Sequence, residues 1–153
     1  MRLSIAEDRL DTPASAPLVA ALWSELLERY GEPDPDPDGI TAATLAPPDG
    51  AFVVAWADST AVGCGGLRGY EPAVGEVKRM YVSPAHRGQG IARAVLVAIE
   101  TRARDLGYDR LVLETGLRQP EAMGLYLSAG YTDLEPYGFY RTSPLSRCFE
   151  KWL

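Results

Sequence analysis

The order of periodic segments in the second half of the chain restricts the fold most strongly. Residues 91–106 have the spacing of an amphipathic helix ending at Gly107, with apolar side chains at Ile91, Val95, Ile99, Ala103 and Leu106. A short β-rich run follows at 110–114, and a second helix begins at Pro120 and ends before Gly130. Because strands that alternate with helices need crossover connections, this order predicts a sheet with helices packed on it.

The remaining segments predict strands with simpler connections. β-rich runs at 51–57, 61–67 and 75–82 are separated by short turns, which is typical of an antiparallel meander. We also expect a strand at 2–7, a helix from Thr12-Pro13 to Gly31, and final strands at 131–134 and 147–153. The predicted order is β, α, three β, α, β, α, β, β, which is a mixed α/β (α+β) sheet.

Length and composition favour one soluble domain, 1–153. The chain has 153 residues, of which 46% are hydrophobic and 24% charged. No window approaches the roughly 18 apolar residues of a membrane helix, and the N-terminus lacks a signal-peptide core, so we expect a cytoplasmic protein without a membrane partner. Cys64 and Cys148 have no Cys or His neighbours at ligand spacing, so buried packing is expected and no metal site.

Charge is distributed unevenly along the chain. The net charge of −6 argues against a nucleic-acid partner. Residues 1–71 contain 12 acidic and 4 basic residues, whereas residues 72–153 contain 9 and 11, so an anion is expected in the second half. The run Glu-Pro-Asp-Pro-Asp-Pro-Asp-Gly at 32–39 predicts an extended acidic loop, followed by a helical turn at 40–46.

A glycine pair between a strand and a helix is the most informative feature for function. Gly88 and Gly90 leave the first unpaired amides of the helix at 91–106 accessible, and Arg87 adds a positive charge. A phosphate or pyrophosphate is the natural occupant. A sharp turn with Arg87 in solvent is the structural alternative. A dinucleotide fingerprint fails because Arg93 occupies its sixth position, although Glu114 could serve as a ribose-binding acid.

Two segments together resemble a known family. Arg87-Gly88-Gln89-Gly90-Ile91-Ala92 is similar to the Arg/Gln-x-x-Gly-x-Gly/Ala signature of the GNAT superfamily of acyl-CoA-dependent N-acetyltransferases, and a Tyr-Val pair precedes it. Residues 121–131, Glu-Ala-Met-Gly-Leu-Tyr-Leu-Ser-Ala-Gly-Tyr, resemble the family's Ala-x-x-Leu-Tyr-x-x-x-Gly-Phe/Tyr segment. The resemblance implies the GNAT fold: a mostly antiparallel N-terminal half, a central parallel strand pair and flanking helices.

The resemblance also implies acetyl-CoA as co-substrate. Its pyrophosphate would rest on the amides of Arg87, Gly88, Gln89, Gly90, Ile91 and Ala92. Its pantetheine arm would run like an added strand beside Met80, Tyr81 and Val82. Gln119 stands where many members have an asparagine that contacts the cofactor.

Transfer of an acetyl group to an amine calls for a base to deprotonate the ammonium and an acid to protonate the leaving thiolate. Glu76 is the predicted base, because period-two alternation places it on the same strand face as Val82 and the family has a glutamate there. A carboxylate paired with Lys78 or Arg110 is the alternative. Tyr126 is the predicted acid from the resemblance, with a core tyrosine as alternative. His86 is expected in solvent or facing the phosphate.

The predicted activity is acetyl transfer to a primary amine of a small molecule by direct attack. Alternatives are a peptide or protein acceptor, a non-catalytic acyl-CoA-binding module, or a dinucleotide-dependent enzyme. An acceptor carboxylate could bind Arg79 or Arg141, which would suit an amino-acid-like amine. The family often forms homodimers. Further acceptor candidates by resemblance are Asp34, Asp36, Asp38, Arg68, Tyr70, Tyr137 and Tyr140.

Overall fold

Seven strands form one twisted sheet in the computed structural model, which describes residues 1–32 and 39–153. The strands are β1 (Leu3–Glu7), β2 (Ala51–Ala57), β3 (Thr60–Glu71), β4 (Val74–Val82), β5 (Arg110–Gly116), β6 (Thr132–Leu134) and β7 (Ser146–Trp152). Their order across the sheet is β1-β2-β3-β4-β5-β7-β6. The pairs are antiparallel except β4 and β5, which run parallel, so the predicted mixed sheet with one central parallel pair is confirmed.

Three helices flank the sheet: α1 (Ser15–Tyr30), α2 (Ile91–Asp105) and α3 (Pro120–Ser128). Thr12 organises the start of α1, because its hydroxyl accepts the Ser15 amide at 3.2 Å. Gly31 ends α1 in the left-handed conformation that glycine adopts without strain. Each helix thus begins and ends within a few residues of the predicted signals. In the segment 40–46, where a helical turn is predicted, the Leu45 amide donates a hydrogen bond to the Thr41 carbonyl at 3.3 Å.

The hydrophobic core has two layers, one on each face of the sheet. Alternation along β2 shows this, because Val53 and Ala55 pack into one cluster while Phe52 and Val54 pack into the other. The larger cluster contains apolar side chains of α2 and α3, and the smaller contains those of α1. The sheet therefore separates an α1 side from an α2–α3 side.

The predicted acidic loop lies largely outside the described residues, as do Asp34, Asp36 and Asp38. Within the described part of the chain, no helix is long and apolar enough to cross a bilayer.

Candidate functional site

The parallel strands β4 and β5 separate at their carboxyl ends. They pair only at Val74 with Arg110, Gly75 with Leu111 and Glu76 with Val112. Beyond this point β4 continues beside β3, and β5 continues beside β7. Among the described residues, nothing forms a ladder with the edge of β4 that faces β5 after Glu76. The gap leaves backbone polar groups available to an extended ligand.

A cleft of about 280 Å³ occupies this gap. Its walls come from both sides of the sheet, since α1 contributes Trp23 and Leu26 while α3 contributes Ala122 and Tyr126. The sheet and the segment before β7 supply most of the polar lining, at Lys78, Arg79, Glu114, Thr115, Tyr140, Ser143 and Ser146. The predicted site residues Met80, Gln119 and Tyr126 also lie on the wall. The cleft thus connects the two sides of the sheet.

Tyr126 has the environment of a proton donor. Its side chain is only 5% exposed, and its ring packs edge-on against Tyr131 at 5.7 Å between centroids. Burial raises the pKa of Tyr126 above the ordinary value of 10, and the negative charge of Glu114 raises it further. The phenol is therefore neutral at physiological pH and can donate a proton within the cleft.

A β-bulge in β4 overturns the same-face argument for Glu76. Between the pairs Cys64–Tyr81 and Gly66–Lys78, β3 advances two residues while β4 advances three. The extra residue is accommodated at Arg79, whose φ is +59°. As a result Val77 and Val82 pack into the same core cluster although they are five residues apart. Glu76 and Val82 thus lie on opposite faces of the strand, so that part of the prediction is wrong.

Glu76 is buried behind the cleft instead of on its wall. Its carboxylate, in a residue 2% exposed, accepts hydrogen bonds from the Arg68 Nε at 2.6 Å and from the Tyr137 hydroxyl at 2.5 Å. The Lys78 Nζ lies 3.7 Å from Oε1. Burial raises the pKa of Tyr137, and the charge of Glu76 raises it further, so the phenol stays protonated and donates to the carboxylate. Glu76 therefore anchors the segment that contains Tyr137.

The glycine loop, residues 87–90, leads into α2. Gly88 and Gly90 adopt φ values of +77° and +80°, which an L-amino acid rarely adopts, and Gly90 is the N-cap of α2. Within the described residues, no acceptor is bound by the amides of residues 88–92. These amides and the positive end of the α2 dipole form a site suited to an anion.

Arg87 is arranged differently from the prediction. Its amide closes the preceding turn on the Pro84 carbonyl at 3.4 Å. Its guanidinium binds the Glu25 carboxylate at 2.8 Å and the Val82 carbonyl at 2.9 Å. The Glu25 carboxylate of α1 thus competes with an anion in the loop for the positive charge of Arg87. The amides that remain for an anion are those of Gly88 to Ala92.

The sequence model of the acetyltransferase (GNAT) family matches residues 17–131. The chain belongs to the GNAT family. An IAA acetyltransferase from Azospirillum brasilense is 46% identical over 109 residues, covering 71% of this chain and 71% of that protein. The chain is accordingly an acyltransferase enzyme.

Solved structures agree with this fold. A crystal structure assigned as an acyl-CoA N-acyltransferase from Klebsiella pneumoniae superposes with a TM-score of 0.82 at 31% identity, over 99% of this chain and 97% of that one. A GNAT family acetyltransferase from Elizabethkingia anophelis, solved with acetyl-CoA bound, superposes with a TM-score of 0.72 at 18% identity, over 99% and 98%. The second likeness shows the fold alone.

The structure divides the candidate acceptor residues of this GNAT chain into two groups. Tyr140 and Arg79 lie on the cleft wall. Arg68, Tyr70 and Tyr137 form a network around Glu76, in which the Tyr70 and Tyr137 rings are 5.2 Å apart. Arg141 is exposed and binds the Gly138 carbonyl at 2.9 Å, so it lies outside the wall.

Three more predicted positions have defined surroundings. Gln119 is the N-cap residue of α3, and its Oε1 accepts the Tyr30 hydroxyl at 3.1 Å. His86 ends a short 3₁₀ turn, Pro84–His86, directly before the glycine loop. Cys64 and Cys148 are buried free thiols, and burial raises the pKa of Cys64 to about 12, which disfavours the thiolate. No cluster of three metal-ligating side chains occurs within residues 1–32 and 39–153.

Sequence reasoning considered Glu114 only as a ribose-binding acid of the dinucleotide alternative and missed it as a residue of this cleft. It ends the apolar part of β5, directly across the gap from β4, and accepts the Ser146 hydroxyl at 3.1 Å. A carboxylate that follows three buried residues at the carboxyl end of a parallel strand was a usable signal, because ligands bind at such ends in open sheets.

Proposed function

We propose that this GNAT enzyme, as one domain over residues 1–153, transfers an acetyl group from acetyl-CoA to a primary amine of a small molecule by direct attack. The observation that carries the proposal is the position of Tyr126 on the wall of the cleft between β4 and β5. The loop at 88–92, which suits an anion, follows the end of β4 after the short 3₁₀ turn Pro84–His86. The cytoplasm is the proposed location, and a homodimer is the proposed assembly.

The cofactor fits the arrangement at two places. The diphosphate of CoA would accept hydrogen bonds from the amides of residues 88–92 at the start of α2. The pantetheine arm would add to the open edge of β4 beside Met80, Tyr81 and Val82. This path ends with the thioester in the cleft, near Tyr126. Gln119, held by Tyr30, would contact the arm on the α3 side.

Catalysis needs two proton transfers around the attack. The neutral amine attacks the thioester carbonyl, a C–N bond forms, and the C–S bond breaks as CoA leaves as a thiolate. Tyr126 donates its phenolic proton to that sulfur. The ammonium proton passes first to a carboxylate, and Glu114 suits this role because it lies on the cleft wall. Glu76, the base predicted from the sequence, is buried off the cleft wall and would act through an intervening group.

The first experiment follows the release of CoA thiol with a panel of small amines. We expect turnover with at least one amine, and Tyr126→Phe should lower kcat by about 10²-fold or more, because a positioned acid contributes about 10² to 10⁴. Tyr108→Phe is the matched control, since the Tyr108 hydroxyl donates to the Asp49 carbonyl at 2.6 Å and the residue lies off the cleft wall. It should retain the wild-type rate.

Two outcomes would contradict this proposal. Binding of acetyl-CoA without thiol release for any amine or peptide would favour the non-catalytic module. Turnover only with peptides that present a free N-terminal amine would replace the small-molecule acceptor with a peptide acceptor.

A further inference from the structure

The segment that joins β6 to β7, residues 135–145, extends across the sheet. It leaves β6 at the edge of the sheet, yet the Tyr137 side chain within it reaches Glu76 on β4, which is the third strand from β6 in the order β6-β7-β5-β4. At about 4.8 Å for each strand spacing, this span corresponds to about 14 Å. Together with the Tyr137 side chain, the segment therefore crosses one face of β7 and β5.

The face that the 135–145 segment crosses is the α1 side of the sheet. Val77 packs into the core cluster of α2 and α3, and neighbouring residues of a strand point to opposite faces, so Glu76 points to the α1 side. The Tyr137 hydroxyl donates to Glu76 at 2.5 Å and therefore lies on that side as well. Tyr126 packs into the cluster of α2 and α3. The segment and Tyr126 thus approach the gap between β4 and β5 from opposite sides of the sheet.

Part of the cleft wall is formed by the same segment. Tyr140, Ser143 and Leu145 all line the cleft. The Ser143 amide donates to the Tyr140 carbonyl at 2.9 Å, and this bond fixes a turn of the segment. A bond within the segment determines its local shape but does not hold it against the sheet. The position of the wall therefore depends on contacts between the segment and the rest of the molecule.

Two such contacts lie at opposite ends of the segment. At the end that precedes β7, the Leu145 carbonyl accepts the Leu117 amide at 2.8 Å. Near the start, Tyr137 is half-buried, whereas its two neighbours on each side are exposed. Its partner Glu76 is only 2% exposed and belongs to the centre of the sheet. The hydrogen bond from Tyr137 thus ties an exposed stretch of chain to a buried carboxylate.

We propose that Tyr137 is a positioning residue for the acceptor, because its bond to Glu76 holds the 135–145 segment in place as the wall against which the amine binds. This inference rests on the proposed function, in which the cofactor occupies the start of α2 and the open edge of β4. The amine then binds from the α1 side, between the segment and α1. Tyr137 lies off the cleft wall and does not contact the reacting atoms. A wall fixed in this way limits the size of the amine that the cleft accepts.

The first test is kinetic and uses Tyr137→Phe, which removes the hydrogen bond and keeps the ring. We expect KM for the best small amine of the panel to rise about tenfold or more, on the scale of a hydrogen bond to a charged group, with kcat and the KM for acetyl-CoA changed by less than about threefold. The preference for that amine over a longer amine should fall, because a displaced wall leaves more room. Tyr108→Phe, which also removes a hydroxyl that donates a hydrogen bond, is the control and should leave all three constants unchanged.

The second test is limited proteolysis, which does not depend on activity. Arg141 is exposed within the segment, so trypsin can cut after it when the segment opens. The cutting rate follows the population of the open form when opening and closing are fast. We expect cleavage after Arg141, identified by mass spectrometry, to be about tenfold or more faster in Tyr137→Phe and unchanged in Tyr108→Phe. Glu76→Gln should give a smaller increase, because its amide oxygen still accepts the Tyr137 hydroxyl.

The results that overturn the inference differ from those that overturn the function. An unchanged cleavage rate in Tyr137→Phe would mean that the bond does not hold the segment. An unchanged KM for the amine, or equal rises in KM for the amine and for acetyl-CoA, would mean that the segment is not the acceptor wall. A fall in kcat at constant KM would assign Tyr137 to the chemical step instead of to positioning.

Each of these results leaves acetyl transfer itself intact. An absence of thiol release by the wild type with every amine would instead remove the proposed function, while the proteolysis would still measure whether Tyr137 holds the segment.

Discussion

At the scale of single residues, the pH dependence of the rate distinguishes the proton donor from the proton acceptor. The pKa of Tyr126 is raised above 10 by burial and by the charge of Glu114, so its phenol remains protonated up to about pH 10. A group that must be protonated causes a loss of rate only when the pH rises through its pKa. We therefore expect kcat to rise from the acidic side and to show no alkaline fall from Tyr126 below pH 10, as measured with a buffer series.

Glu114 and Glu76 can be separated by the acidic side of the same profile. A base must be deprotonated, so its loss should remove the rise in kcat with pH and lower kcat by about 10² or more. We expect this from Glu114→Gln. Glu76→Gln should instead lower the melting temperature, because the half-buried Arg68 and Tyr137 would lose a charged partner. The reverse pattern, a flat profile in Glu76→Gln with a normal one in Glu114→Gln, would assign the base to Glu76.

At the scale of elements, the sequence was sufficient for segments with a single unbroken period. α2 has one apolar face and a glycine stop, and α3 begins at a proline, so local physical chemistry determines their positions. β4 was predicted as a strand with the wrong face for Glu76, because the bulge at Arg79 changes the alternation halfway along. The adjacent charges of Lys78 and Arg79 were the available signal, because strict alternation would turn one of the two toward the apolar core. The separation of β4 from β5 depends on long-range pairing, which periodicity does not encode.

The glycine-rich sequence of β3 determines how closely α2 approaches the sheet. A Cβ atom at Gly65 would lie 2.7 Å from Ile99 Cδ1 and 2.8 Å from Val95 Cγ1, both on α2, and 2.7 Å from Met80 Sδ. These distances are too short for a methyl group, so α2 or Met80 must shift. We expect Gly65→Ala to lower the free energy of unfolding by about 1–3 kcal/mol, measured by denaturant titration.

Gly124→Ala is the control for that substitution. Gly124 lies within α3, and a Cβ there meets no atom within 4 Å. Because alanine is the better helix former, this variant should gain up to about 1 kcal/mol. A stable Gly65→Ala protein would mean that α2 does not pack as closely as the structure shows.

At the scale of the whole molecule, the sheet joins two differently charged halves. Residues 1–71, which include α1, are strongly acidic, whereas residues 72–153, which include the glycine loop and α2, carry a small excess of basic residues. A cofactor with a diphosphate is thus expected at the second half, and a cationic amine is drawn through the acidic first half. The gap between β4 and β5 is where the two ligands can meet, since its walls come from both α1 and α3.

Ligand-dependent stability tests this division, because a ligand that binds only the folded state raises its unfolding free energy. At a concentration 100 times its dissociation constant, acetyl-CoA should add about 2.7 kcal/mol, which corresponds to a rise in melting temperature of roughly 5–11 °C for a chain of this size. NAD should give no comparable rise, because the glycine loop lacks the dinucleotide fingerprint.

Gly90→Ala should melt at a lower temperature without ligand and should lose most of the rise in melting temperature that acetyl-CoA produces. An alanine at φ of +80° is strained and turns the loop amides away. Gly124→Ala is the control and should retain the full rise in melting temperature. A full rise in Gly90→Ala as well would place the diphosphate away from the start of α2. Stabilisation by NAD alone would restore the dinucleotide alternative.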